Sequence, residues 1–129
     1  MDITLDGVLY QGTTGDDVFT VSTNLENITI KGYQGNDSVA LQASLTNTKV
    51  FTAEDHDLIS IDDSFINSTI GAGSGADTLS VSSTATVEGS KFFGGADDDG
   101  FTVDGSLTNS TVGAGSGADT LSVSSTATV

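Results

Sequence analysis

Asn67–Val87 reads NSTIGAGSGADTLSVSSTATV and Asn109–Val129 reads NSTVGAGSGADTLSVSSTATV, the two differing only at Ile70 and Val112. A stretch repeated at a fixed offset of 42 residues marks a repeat architecture. The offset divides further. An Asp that follows a short loop and precedes an x-apolar-x-apolar run recurs at Asp17, Asp37, Asp57, Asp77, Asp99 and Asp119, with spacings of 20, 20, 20, 22 and 20. Two extra residues after Val81 account for the longer interval.

Apolar residues keep step with these anchors. Two positions on come Phe19, Val39, Ile59, Leu79, Phe101 and Leu121; two further come Val21, Leu41, Ile61, Val81, Val103 and Val123. A third column is Leu25, Leu45, Phe65, Val87, Leu107 and Val129, with Leu5 ahead of it. A fourth is Ile30, Val50, Ile70, Phe92 and Val112, with Tyr10 in register before them. Alternation of period two in short β-branched runs bounded by Gly, Asn, Asp and Ser predicts strands with one buried face, and no stretch has a helical period. A coil this short cannot bury its apolar side alone, whereas stacked coils can. The expected fold is therefore all-β: a parallel β-solenoid of six coils of about 20 residues, two short strands in each, in a single repeat domain over 1–129. Residues 1–11 form a partial N-terminal coil.

Composition narrows the function. The chain has 129 residues, 18 Asp+Glu against 3 Lys and no Arg, and a net charge of −15. Phosphate neutralisation needs clustered cations, so nucleic acid is not an expected partner. No apolar run reaches the roughly 18 residues of a membrane helix. Cysteine is absent, which removes disulfides and thiolate metal sites.

Stacking parallel coils places six anchor Asp side chains about 4.8 Å apart. Like charges at that spacing repel unless the acids are protonated, accept loop amides, or bind cations. The loops before the anchors are GTTGDD (Gly12–Asp17), GYQGND (Gly32–Asp37), TAEDHD (Thr52–Asp57), AGSGAD (Ala72–Asp77), GGADDD (Gly94–Asp99) and AGSGAD (Ala114–Asp119). Glycine-rich turns leave carbonyls free, and carboxylate with carbonyl oxygen is the donor set of a hard cation, Ca²⁺ above all. An Asp/Gly turn column without metal is the plainer alternative.

The G-x-x-G-x-D-x-U-x-U pattern resembles the RTX nonapeptide repeat, G-G-x-G-x-D-x-U-x. The resemblance implies Ca²⁺ held between successive turns and a secreted or surface-exposed host. Carried over, it implies carboxylate ligands at Asp17, Asp37, Asp77, Asp99 and Asp119. It implies carbonyl ligands at Gly12, Gly15, Gly32, Gly35, Gly73, Gly75, Gly94, Gly95, Gly115 and Gly117. Coil three has lost both glycines, which sets Asp57 apart, and coil five has Asp97 where Gly is expected. One binding turn per coil is closer to one-sided variants of the family than to the two-edged roll.

The second turn carries Asn27, Asn47, Asn67 and Asn109, with Gly89 in coil four. A stacked amide ladder is the expected role; the N-x-S/T sequons at Asn27, Asn36, Asn67 and Asn109 offer glycosylation instead. His56, the one histidine, belongs to a degenerate loop facing solvent; short turns offer no pocket, and no catalytic residue is expected. Lys31, Lys49 and Lys91 are expected to pair with surface carboxylates. Neither Thr20/Ala40/Ser60/Ser80/Thr102/Ser122 nor Thr14/Gln34/Glu54/Ser74/Ala96/Ser116 makes a regular Thr array, which weighs against ice binding. No solenoid cap or secretory leader is visible. Val129 and Leu5 fall nearly in register, consistent with head-to-tail self-stacking or with flanking repeats of a longer chain. The expectation is a non-enzymatic, calcium-stabilised structural repeat of an extracellular, cell-surface or fibre assembly: a stalk, sheath or adhesin spacer. A phage virion appendage, or a glycan- or ice-binding module with outward aromatics at Tyr33 and Phe93, is the alternative.

Overall fold

A computed structural model describes residues 1–124. Val129, the last member of the third apolar column, lies outside them. The chain winds into a stack of parallel strands, with no helix among the described residues. The partial first coil supplies β1 (Asp2–Ile3) and β2 (Leu9–Gln11). The coil after Asp17 gives β3 (Val18–Val21), β4 (Leu25–Glu26) and β5 (Thr29–Tyr33); that after Asp37 gives β6 (Ser38–Leu41), β7 (Leu45–Thr46) and β8 (Lys49–Glu54). Next come β9 (Leu58–Ile61), β10 (Phe65–Ile66) and β11 (Thr69–Ser74), then β12 (Thr78–Val81), β13 (Thr86–Glu88) and β14 (Lys91–Ala96). The fifth coil gives β15 (Gly100–Val103), β16 (Ser106–Thr108) and β17 (Thr111–Ser116), and the sixth β18 (Thr120–Val123).

Each of the five coils from Asp17 to Asp119 thus has three strands rather than two, and the strands stack into three parallel sheets. The first sheet is β1-β3-β6-β9-β12-β15-β18, the second β4-β7-β10-β13-β16, and the third β2-β5-β8-β11-β14-β17. The second is made of strands of two or three residues with one inward side chain each. Registers follow the repeat: Leu79 faces Ile59 on one side and Phe101 on the other, and Phe65 faces Leu45 and Val87. The extra residues lie between β12 and β13, where Ser82 and Thr84 hydroxyls donate to the Asp62 carbonyl.

All four apolar columns point inward. Phe19, Val39, Ile59, Val21, Leu41, Phe65, Ile70 and Phe92 are fully buried, and Phe65 and Phe92 pack with ring centroids 6.0 Å apart. Leu121 and Val123, in the last described coil, are exposed. Leu5 is also exposed, and Tyr10 packs only partly against the core.

Candidate metal centre in the stacked turns

The corner between the third and first sheets holds the Asp column. Its entry is bulged: strand pairing runs through Gly71↔Phe51 and Gly73↔Ala53 but skips the residue between. The residue after the skip has positive φ in five successive coils: Tyr33 (88°), Ala53 (87°), Gly73 (116°), Gly95 (121°) and Gly115 (110°). Two positions on, Gly35, Asp55, Gly75, Asp97 and Gly117 do the same. Asp tolerates the left-handed region better than most side chains, which is how Asp97 stands in for the expected glycine.

This corner turns the anchors inward. Asp37, Asp57, Asp77 and Asp99 are only 2%, 3%, 5% and 3% exposed. The Oδ1 of each accepts the backbone N–H of the preceding anchor: Asp17 N to Asp37 (2.9 Å), Asp37 N to Asp57 (2.8 Å), Asp57 N to Asp77 (2.8 Å) and Asp77 N to Asp99 (2.9 Å). Asp99 N donates likewise to Asp119. Loop amides therefore account for one oxygen of each carboxylate. The other oxygen, Oδ2 of Asp37, Asp57, Asp77 and Asp99, is buried with no hydrogen-bond partner. In coil one, Asp17 Oδ2 accepts from Thr13 N at 2.6 Å and from Thr13 Oγ1 at 3.1 Å.

The orphaned oxygens point into a cradle. A methyl built on Gly12 would lie 2.5 Å from Asp17 Oδ2 and 2.6 Å from the Gly32 carbonyl oxygen. One on Gly32 would collide with Asp37 Oδ2 and sit 3.0 Å from the Thr52 carbonyl oxygen; one on Gly94 would collide with Asp99 Oδ2 and the Ala114 carbonyl oxygen. In these coils a carboxylate oxygen and a carbonyl oxygen of the next coil converge on the space beside a glycine; the carboxylate oxygen has no donor beside Gly32 and Gly94, whereas in coil one Thr13 already donates to it. Ala72 and Ala114 put a methyl in the equivalent place. Coil three has Thr52, whose hydroxyl donates to the Ala72 carbonyl at 3.1 Å and lies against Asp57.

Burial raises the pKa of all four buried acids, Asp37 to about 6 and Asp77 to about 7. The amide on each Oδ1 opposes the rise, while charged neighbours in the column add to it. Carboxylate and carbonyl oxygens converging in a buried turn are the donor set of a hard cation, while the raised pKa values by themselves fit a protonated carboxyl. Among the described residues no three His, Asp or Glu side chains gather at one point. A cation in the cradle would draw on the anchor carboxylates and on backbone carbonyls such as those of Gly32, Thr52 and Ala114. Of the glycines implied as ligands, Gly12, Gly32 and Gly94 line the cradle. Gly35, Gly73, Gly75, Gly95, Gly115 and Gly117 serve the positive φ, and a methyl on any of them would strike the backbone of the preceding coil. Gly15 has neither constraint.

A second acceptor ladder runs outside the turn. Asp16, Asn36 and Asp98 accept the N–H groups of Asn36, His56 and Ala118 through side-chain oxygens, and His56 accepts that of Ala76 through Nδ1 at 2.8 Å. His56 is a ladder rung carrying its proton on Nε2.

Two expectations are corrected. Asn27, Asn47, Asn67 and Asn109 adopt φ of 57°, 52°, 49° and 51°, and among the described residues no hydrogen bond joins their side chains. Their column, with Gly89 at 59°, exists because the turn needs left-handed backbone, not because of an amide ladder. The ladder belongs to the next residue. Thr48 N donates to Ser68 Oγ (2.8 Å), Ser68 N to Ser90 Oγ (3.0 Å) and Ser90 N to Ser110 Oγ (3.1 Å). The Ile28, Thr48, Ser68, Ser90, Ser110 column was its sequence signal, disguised by the isoleucine that begins it. Second, no ion pair involves Lys31, Lys49 or Lys91 among the described residues. They lie on the outward face of the third sheet, while the acids crowd the corners.

No known family model, curated protein or solved structure matches the chain.

Proposed function

We propose that the chain is a non-enzymatic structural repeat module whose coils are stapled by Ca²⁺ along one corner, serving as a stalk, sheath or adhesin spacer outside the cell or on its surface. The buried, unpartnered Oδ2 atoms of Asp37 and Asp99 beside Gly32 and Gly94 carry this reading. A solenoid has only nearest-neighbour contacts, so a divalent charge between coils strengthens the interface that limits its stability. Asp37 and Asp99 would hold the ion through Oδ2 with the Thr52 and Ala114 carbonyls of the next coil. Their Oδ1 atoms stay on the backbone amides and fix the carboxylates in place. Sites built from few charges suit millimolar rather than cytosolic Ca²⁺, which favours an extracellular setting.

Circular dichroism and light scattering over a titration from EDTA to 10 mM Ca²⁺ test the reading. A melting temperature that rises with Ca²⁺, and not with equal ionic strength of Na⁺, supports it. A folded chain whose melting is the same in EDTA and in Ca²⁺ overturns it.

A further inference from the structure

The outward face of the third sheet has a composition unlike the rest of the molecule. In register across the sheet, Lys31, Phe51, Gly71, Phe93 and Gly113 form one column, and Lys49, Thr69, Lys91 and Thr111 the column beside it. All three lysines of a chain carrying 18 acids therefore lie on this face, none in an ion pair among the described residues. The exposed aromatic side chains among the described residues, Tyr33, Phe51 and Phe93, lie here too. The strand faces carry no acid until Glu54 at the rim.

The pattern is periodic. Lys49–Phe51 in one coil is followed by Thr69–Gly71, then Lys91–Phe93, then Thr111–Gly113. The phenyl rings lean along the rod axis onto the bare glycines: a methyl on Gly71 would lie 3.1 Å from Phe51 Cδ1, and one on Gly113 would lie 3.1 Å from Phe93 Cδ1. Each two-coil unit thus offers one cation, one hydroxyl and one ring, repeating every ~9.6 Å at the usual strand spacing. Lys31 and Tyr33 extend the face by one coil and, with Phe51 and Ala53, line a shallow groove of about 350 Å³.

We propose that this face binds a linear acidic polysaccharide running along the rod, of the type in which acidic and neutral sugars alternate. A straight face repeating one cation per two coils complements a polymer bearing one carboxylate per two sugars. Apolar ring faces suit the C–H faces of the sugars, and the threonine hydroxyls suit their OH groups. The high negative charge of the corners confines such a polymer to the one face where cations stand free. This proposal needs the folded solenoid but not the metal.

The test is calorimetric titration of the folded chain with a hyaluronan decasaccharide, in which glucuronate and N-acetylglucosamine alternate, in low salt. Parallel titrations use a neutral cello-oligosaccharide, polyaspartate and single-stranded DNA. Circular dichroism of the same samples shows whether they are folded, which separates failure of this proposal from failure of the metal reading. The expected result is saturable binding of the acidic sugar alone, weakened by added salt. Lys49→Gln with Lys91→Gln changes two exposed, unpaired side chains and should lower affinity about tenfold. Phe51→Ala should lower it at least about fivefold. No binding by the folded chain overturns the proposal. So does equal binding of polyaspartate or DNA, which would mean a plain cationic patch, and so does affinity unchanged in the double lysine variant.

Discussion

Gly32→Ala isolates the cradle from the fold. Gly32 has ordinary negative φ, so the substitution carries no backbone penalty, and Ala72 and Ala114 show that the column accepts a methyl. The new methyl, however, falls on Asp37 Oδ2 and within 3.0 Å of the Thr52 carbonyl oxygen, in the space where a cation would sit. In EDTA the variant should lose about 1–3 kcal/mol, because the buried Asp37 carboxylate must shift to admit the methyl. In Ca²⁺ the two should part further. A site with a dissociation constant of about 0.1–1 mM, the range of extracellular modules, contributes about 1.4–2.7 kcal/mol at 10 mM Ca²⁺ by mass action. For a domain of this length that corresponds to roughly 4–14 °C of melting temperature. Differential scanning calorimetry of both proteins, with and without 10 mM Ca²⁺, should show the Ca²⁺-induced rise reduced by that amount. Ala72→Gly should enlarge the rise by opening the cradle in coil four. An undiminished Ca²⁺ response in Gly32→Ala would refute the assignment of the cradle, whatever the fate of the other coils.

Three further outcomes follow from the same geometry. Without metal, the raised folded-state pKa values of Asp37 and Asp77 lie above the ordinary value near 3.8, so their contribution is fully present below about pH 4. It is lost as pH rises through 6 to 7. Thermal melts in EDTA should fall over that window, and 10 mM Ca²⁺ should flatten the fall; a melting point rising from pH 4 to 7 in EDTA would contradict the raised values. Ser90→Ala removes a buried hydroxyl that accepts Ser68 N–H and donates toward the Phe65 and Glu88 carbonyls, and should cost about 1–3 kcal/mol by denaturant titration. Asn47→Ala should cost about 1–2 kcal/mol, while Asn47→Gly should be close to neutral; equal losses from both would restore the amide-ladder reading.

The repeat and its columns were legible because burial on stacked coils repeats at a fixed offset, so Phe19, Val39 and Ile59 announce one another along the chain. What a position shares only through backbone conformation was harder to see. Asn27, Asn47, Asn67 and Asn109 invite a side-chain explanation, yet Gly89 in the same column has no side chain to ladder. A left-handed φ is the one property that Asn and Gly share there. The third strand escaped notice for a related reason. A two-residue strand such as Leu25–Glu26 turns one side chain inward, so period-two alternation has nothing to alternate with. The lysines misled because sequence proximity is not proximity on a solenoid. Lys49 and Glu54 share one strand, but Lys49 stands on the flat of the sheet and Glu54 at its corner, where Gln34 takes its carboxylate at 3.0 Å. In the metal-binding turn, sequence supplied the anchors and the glycines but not their division of labour. Gly32 yields room to a carboxylate, whereas Gly35 and Gly73 yield room to backbone and take positive φ. Gly12 and Gly94 would also press a methyl on the carbonyl of the next coil, so Gly32, whose methyl meets chiefly a side-chain oxygen, is the position at which the metal reading is tested most directly.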